Sequence, residues 1–141
     1  MLFVGFLYVR KLIECQKVSD ACARSSAPIL RASIQRVREV SAFSRHDLFK
    51  DLEGAKWNEA RVDVHQIADK VIHAWWIVPI QEEDNGLAGF VFTTDRQRNS
   101  ELWLLPSRSI SDIFIEFSRS AVRRVKTERD ENGRLKYWKA E

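Results

Sequence analysis

Apolar positions along this chain change period several times, and each change marks an element. Over residues 3–24, Phe3, Phe6, Leu7, Leu12, Ile13 and Val18 fall near one wide face while Arg10, Lys11, Glu14 and Lys17 take the other, which predicts a first helix ending at Ser25 and Ser26. Residues 29–40 fit a helix through Leu30, Ile34 and Val37 with Pro28 at its first position. Their Ile and Val content also allows an extended edge segment. Ser44 and Asp47, placed before Leu48, Phe49 and Leu52, predict a short capped helix that stops at Gly54. Alternation of Ala60, Val62 and Val64 with Glu59, Arg61 and Asp63 then predicts a short strand.

The cleanest periodicity follows: Val64, Ile67, Ala68, Val71 and Ile72 recur at helical spacing behind a capping-box pair, Asp63 and Gln66, in a helix that delivers His73 at its end. From Ala74 the text turns strand-like, with apolar runs over 74–80, 87–94 and 101–105 separated by two polar turns. Asn85 and Gly86 tolerate the positive φ of a type I′ hairpin turn, so the three runs form an antiparallel meander. The first run offers Trp75, Ile77 and Pro79 on one face and Trp76, Val78 and Ile80 on the other, so helices or a partner chain must cover both faces. Pro79 belongs on an edge strand, because it has no ladder donor. Ile110, Ile113, Phe114, Phe117, Ala121 and Val125 give the seam of a last helix from Ser109 or Ser111 to about Lys126, before a turn at 130–133 and a final strand or loose tail. The expected architecture is one α+β domain over residues 1–141, with N-terminal helices, a three-stranded antiparallel meander at about 74–105 and a C-terminal helix.

Composition narrows the class. At 141 residues, 45% hydrophobic and 30% charged, the chain can bury a core and is not a disordered segment. Two cysteines, Cys15 and Cys22, are too few for a disulfide scaffold; they share one helical stripe as small, reduced core residues, without a second Cys or His pair to hold zinc. The net charge of +3 permits a nucleic-acid partner without implying one. The apolar start breaks at Arg10 and Lys11, too short to span a bilayer and with its charges on the wrong side for a signal peptide. These features predict a cytoplasmic, bacterial-type protein with no membrane association.

Candidate chemistry concentrates at the second polar turn, from Thr93 to Asn99. Asp95 suits a general base or an orienting group, and Arg96 and Arg98, with Asn99, suit the clamping of a phosphate or carboxylate. The same residues also serve an ordinary turn by bonding its backbone. His73 is the best candidate for acid–base work, whereas His46 is isolated and His65 lies eight residues from His73, too far for joint metal binding at one helical turn. An antiparallel return would bring His73 and Asp95 to one sheet edge. Arg119, Arg123, Arg124 and Lys126 form a basic helix side with Tyr137 and Trp138 as stacking neighbours. No phosphate-cradling Gly-rich loop, nucleophile elbow, metal-ligand set or cofactor motif is present in the sequence. Three readings follow. The first is a non-catalytic module that self-associates or binds a protein partner through excess apolar surface. The second is a nucleic-acid binder using the basic C-terminal helix. The third is a small enzyme acting on a phosphorylated or nucleotide substrate near His73, Asp95 and Arg96.

Overall fold

The structure, a computed structural model, describes residues 1–35, 39–120 and 125–140, with backbone alone for 125, 126 and 135–140. In chain order the elements are α1 (Leu2–Glu14), α2 (Asp20–Ala23), β1 (Ser26–Ser33), α3 (Asp47–Glu53), β2 (Asn58–Asp63), α4 (Val64–Ile72), β3 (Ala74–Gln81), β4 (Leu87–Thr94), β5 (Glu101–Pro106), α5 (Ser107–Arg119), β6 (Val125–Arg129) and β7 (Leu135–Ala140). The meander read from the sequence is β3–β4–β5, but it belongs to a five-stranded antiparallel sheet of order β2-β1-β5-β4-β3. The expected count of three is therefore corrected to five. Residues 26–33 form β1, not the start of a helix: Ala27, Ile29 and Ala32 are buried, and Leu30 pairs with Glu59 on one side and Leu104 on the other. Those ladder partners lie far along the chain, so the helical spacing of Leu30 and Ile34 was a coincidence of local pattern. β6 and β7 make a separate two-stranded ribbon.

Both faces of the sheet are covered from within the chain. One carries α1, α4 and α5, whose Phe6, Val9, Ile67, Val71, Ile113 and Phe117 pack with Ile29, Phe92, Trp103 and Leu105. Onto the other, Val40, Leu48, Leu52 and Trp57 pack against Trp76, Val91 and Leu102. A bulge between Ala74 and Trp76 shifts the register of β3, so Trp75 joins Trp76 in this second cluster instead of alternating away from it. β2 and β3 are the edges, and Pro79 lies on β3 as its missing donor requires.

Several boundaries differ from expectation for identifiable reasons. The first helix ends at Glu14 because Gln16 adopts φ 53° and closes a Schellman motif, its N–H bonding Ile13 O (3.0 Å) and the Lys17 N–H bonding Leu12 O (2.9 Å). Ser19 then caps α2 by accepting from the Cys22 N–H. The two cysteines consequently part company: Cys15 is exposed and only Cys22 is in the core, where burial pushes its thiol up against the opposing hydrogen bond with Ser120. α4 has Asp63 at its N-cap without a side-chain cap bond; the Val64 N–H bonds Ser25 O of the neighbouring segment instead. Likewise Ser44 bonds Ser41 rather than capping α3, which starts at Asp47. At the β3–β4 hairpin only Asn85 has positive φ (65°), following a turn closed by Asn85 N–H to Glu82 O, so it is not type I′. α5 stops at Arg119, and Lys126 and Val125, expected on that helix, lie in β6.

α1 is fixed to α4 by Arg10, which donates to Asp69 Oδ1 (3.0 Å) and to Glu14 Oε1 (2.6 Å). Lys11 and Arg10 together hold the Glu14 carboxyl down from the ordinary 4.5 to about 2. A depressed carboxyl contributes stability above its unfolded value that is lost as pH falls through the folded one. Glu14→Gln should therefore flatten the loss of stability between about pH 4.5 and pH 2, modestly because the pair is solvent-screened. Acid denaturation curves for the two proteins check this, and equal slopes in that window would refute it.

Candidate functional site

β3 and β4 end together: Ala74 pairs with Thr94, so His73 and Asp95 leave adjacent strand ends. His73 is also the C-cap of α4, its N–H bonded to Asp69 O (3.0 Å). The handover from helix to strand and the return of the hairpin therefore create one cleft of about 410 Å³, lined by Asp69, Lys70, His73, Thr94, Asp95 and Arg96. His73, Asp95 and Arg96, chosen from sequence, share this cleft. Asp69 and Lys70 were missed, although their positions four and three residues before His73 put them on its side of the helix.

The charges in the cleft are unevenly satisfied. Asp69 is engaged by Arg10, and its Oδ1 stands 3.7 Å from His73 Nε2, beyond hydrogen-bond range. Asp95 pairs with Arg98. Lys70 donates to the neutral Gln97 Oε1 (2.7 Å) and lies 5.5 Å from the centre of the Trp103 ring. Arg96 is exposed and has no ion pair among the described residues. Gln97 links the cleft to a deeper network: its Nε2 donates to Glu101 Oε2 (2.6 Å), which also accepts from the Trp103 indole (2.8 Å), while Arg31 bonds Glu101 Oε1 (2.6 Å). Thr94 also donates to Gln97 Oε1 (3.1 Å), and this held amide fixes the ammonium of Lys70 at the cleft. Gln97 and Glu101 carried no sequence signal, because polar turn residues look alike until their partners are known.

Other candidates are placed elsewhere. Arg98 stacks on Trp75 (5.2 Å to the ring centre) while holding Asp95, so its guanidinium is committed to the turn. Asn99 accepts from the Val40 N–H (2.7 Å), anchoring the segment that covers the second face. Arg119 is exposed in the last turn of α5, outside the cleft, where it complements the helix dipole. Arg123 and Arg124 lie outside the described residues. His65 is exposed and does not line the cleft, and His46 stands at the N-cap position of α3 without a side-chain capping bond. Among the described residues no group of three His, Cys, Asp or Glu side chains is placed to hold a metal ion, and no helix is long and apolar enough to cross a membrane.

A second surface stands apart from the cleft. α1 is apolar around most of its circumference, and Phe3, Val4, Leu7 and Tyr8 remain 43%, 52%, 47% and 68% exposed. Beside them Val4, Gly5, Tyr8, Phe90, Ile110 and Phe114 line an apolar hollow of about 480 Å³. Gly5 lets α1 approach α5 here, since a Cβ would sit 2.5 Å from the Phe114 ring. No protein-family model, curated protein or solved structure matches the chain.

Proposed function

We propose that this protein is a non-catalytic interaction module that self-associates through the exposed face of α1. The observation that carries the reading is the stripe Phe3, Val4, Leu7 and Tyr8 beside the apolar hollow. Soluble monomers rarely expose contiguous apolar surface beyond a few hundred Å². A second copy is the favoured occupant on charge grounds. Lys11 follows Val4 by seven residues and so ends the same stripe, while Arg10 ties this end of α1 to Asp69 at the His73 end of the sheet. The opposite end of α1 lies against Phe90, toward the acidic hairpin of Glu82, Glu83 and Asp84. Two α1 helices packed antiparallel about a two-fold axis would bury the stripe and bring Lys11 of each copy toward the acidic hairpin of the other.

Light scattering tests this directly. The wild type should elute with twice the 16.5 kDa chain mass at tens of micromolar concentration, and the double variant Val4→Glu, Tyr8→Glu should elute at the single-chain mass with an unchanged circular dichroism spectrum. A monomeric wild type, or a charged variant that still dimerises, would reject the reading. The nucleic-acid alternative loses its continuous basic helix, because α5 ends at Arg119.

A further inference from the structure

We infer that the cleft at the β3–β4 strand ends binds a small phosphate-bearing ligand, a function separate from the self-association of α1. The cleft volume of about 410 Å³ lies in the range of small-molecule sites. Its charge balance then selects the ligand. Each carboxylate at the wall already has an arginine, Asp69 with Arg10 and Asp95 with Arg98. What faces the space without a carboxylate of its own is Lys70, held by a neutral amide, and Arg96, exposed and unpaired among the described residues. His73 completes the wall, and its Nε2 is too far from Asp69 for a hydrogen bond to occupy it.

Two permanent cations and an imidazole donor match an oxyanion carrying about −1.5 to −2 charges, as a phosphate monoester does near neutral pH. The planar guanidinium of Arg96 can take two phosphate oxygens and the Lys70 ammonium a third, while a lone carboxylate would leave one cation unmatched. The C-terminal end of α4 opposes an anion here, but its partial charge of about half a unit is smaller than that of either cation. The held position of Lys70 matters as much as its charge. Gln97, itself bonded to Glu101, fixes the ammonium before the ligand arrives, so less side-chain entropy is lost on binding.

Titration with sodium phosphate and with glycerol 3-phosphate, followed by ¹H–¹⁵N correlation spectra at constant ionic strength, tests the inference. Saturable shifts at His73, Thr94, Asp95 and Arg96 are expected with at least one of them, and stronger binding of the ester would identify an organic phosphate over the free ion. Arg96→Gln and Lys70→Gln should each weaken the affinity about tenfold or more. Arg108→Gln, altering an exposed side chain whose nearest partner is Asp112 at 3.9 Å, should leave it unchanged. Arg96 is exposed, so loss of binding in its variant reports on the site and not on folding. Absence of saturable shifts in the wild type with both probes would overturn the inference, as would undiminished binding in both cleft variants. Because the monomer–dimer assay reads mass and this one reads ligand shifts, either proposal can fail alone.

Discussion

Trp103→Ala should destabilise the fold by about 3–5 kcal/mol, the cost typical of truncating a buried aromatic. Trp103 is 2% exposed, on β5, and its ring packs with Phe92 at 6.1 Å between centres. It does more than fill volume. Its indole donates to Glu101, whose side chain is only 16% exposed, and Arg31 and Lys70 lie 5.1 and 5.5 Å from its ring centre. Truncation opens a cavity, removes one donor from a largely buried carboxylate and strips two cations of their aromatic neighbour. Against a total stability of about 5–15 kcal/mol, such a loss leaves a marginal protein. Urea denaturation measures it, and Trp103→Phe should recover most of the packing while still losing the indole bond. A loss below about 1 kcal/mol for the alanine variant would mean that the side chain is not packed as described.

Gly89→Ala should be nearly as damaging, for the opposite reason. A Cβ on Gly89 would stand 2.4 Å from the Leu105 carbonyl oxygen and 3.0 Å from Pro106 Cα. These are backbone atoms of the neighbouring strand, so no rotamer change relieves the clash. β4 and β5 must separate where Gly89 pairs with Pro106, close to the Phe90–Leu105 and Val91–Leu104 pairs. We expect a loss of about 3 kcal/mol, at the upper end of overpacking costs. Gly54→Ala is the control: nothing lies within 4 Å of its Cβ and φ is −99°, so the variant should be neutral or slightly more stable. If both substitutions shift the urea midpoint alike, steric closeness is not the cause.

The sequence exposed those parts of the fold whose signal is local. α4 was legible because Val64, Ile67, Ala68 and Val71 form one buried stripe, and the meander because polar turns punctuate its apolar runs. β1 was not, since its identity depends on pairing with β2 and β5, and no local period records those partners. The end of α1 was hidden because Gln16, not a glycine, takes the left-handed position. Simple alternation places Trp75 on the face opposite Trp76 because a bulge leaves no mark in it. For the site, chain topology alone brings His73 toward Asp95 and its neighbour Arg96, and the structure adds Asp69 and Lys70 to the same cleft. Side-chain direction was beyond reach: Arg98 turns onto Trp75 and Asn99 onto Val40, while Lys70 enters the cleft from the helix.

The two edge strands of the five-stranded sheet constrain how copies of this chain can meet. An open sheet edge is a template on which foreign strands grow, the route to fibrils and amorphous aggregates. Here β3 interrupts its edge with Pro79 and a bulge at Trp75, and β2 lines the other with exposed Glu59, Arg61 and Asp63. Neither offers a flat, uncharged ladder for another strand to extend. Neither edge of this sheet is therefore a template for open-ended β-polymerisation, and the self-association proposed for α1 would close on a pair of copies instead of growing a strand ladder.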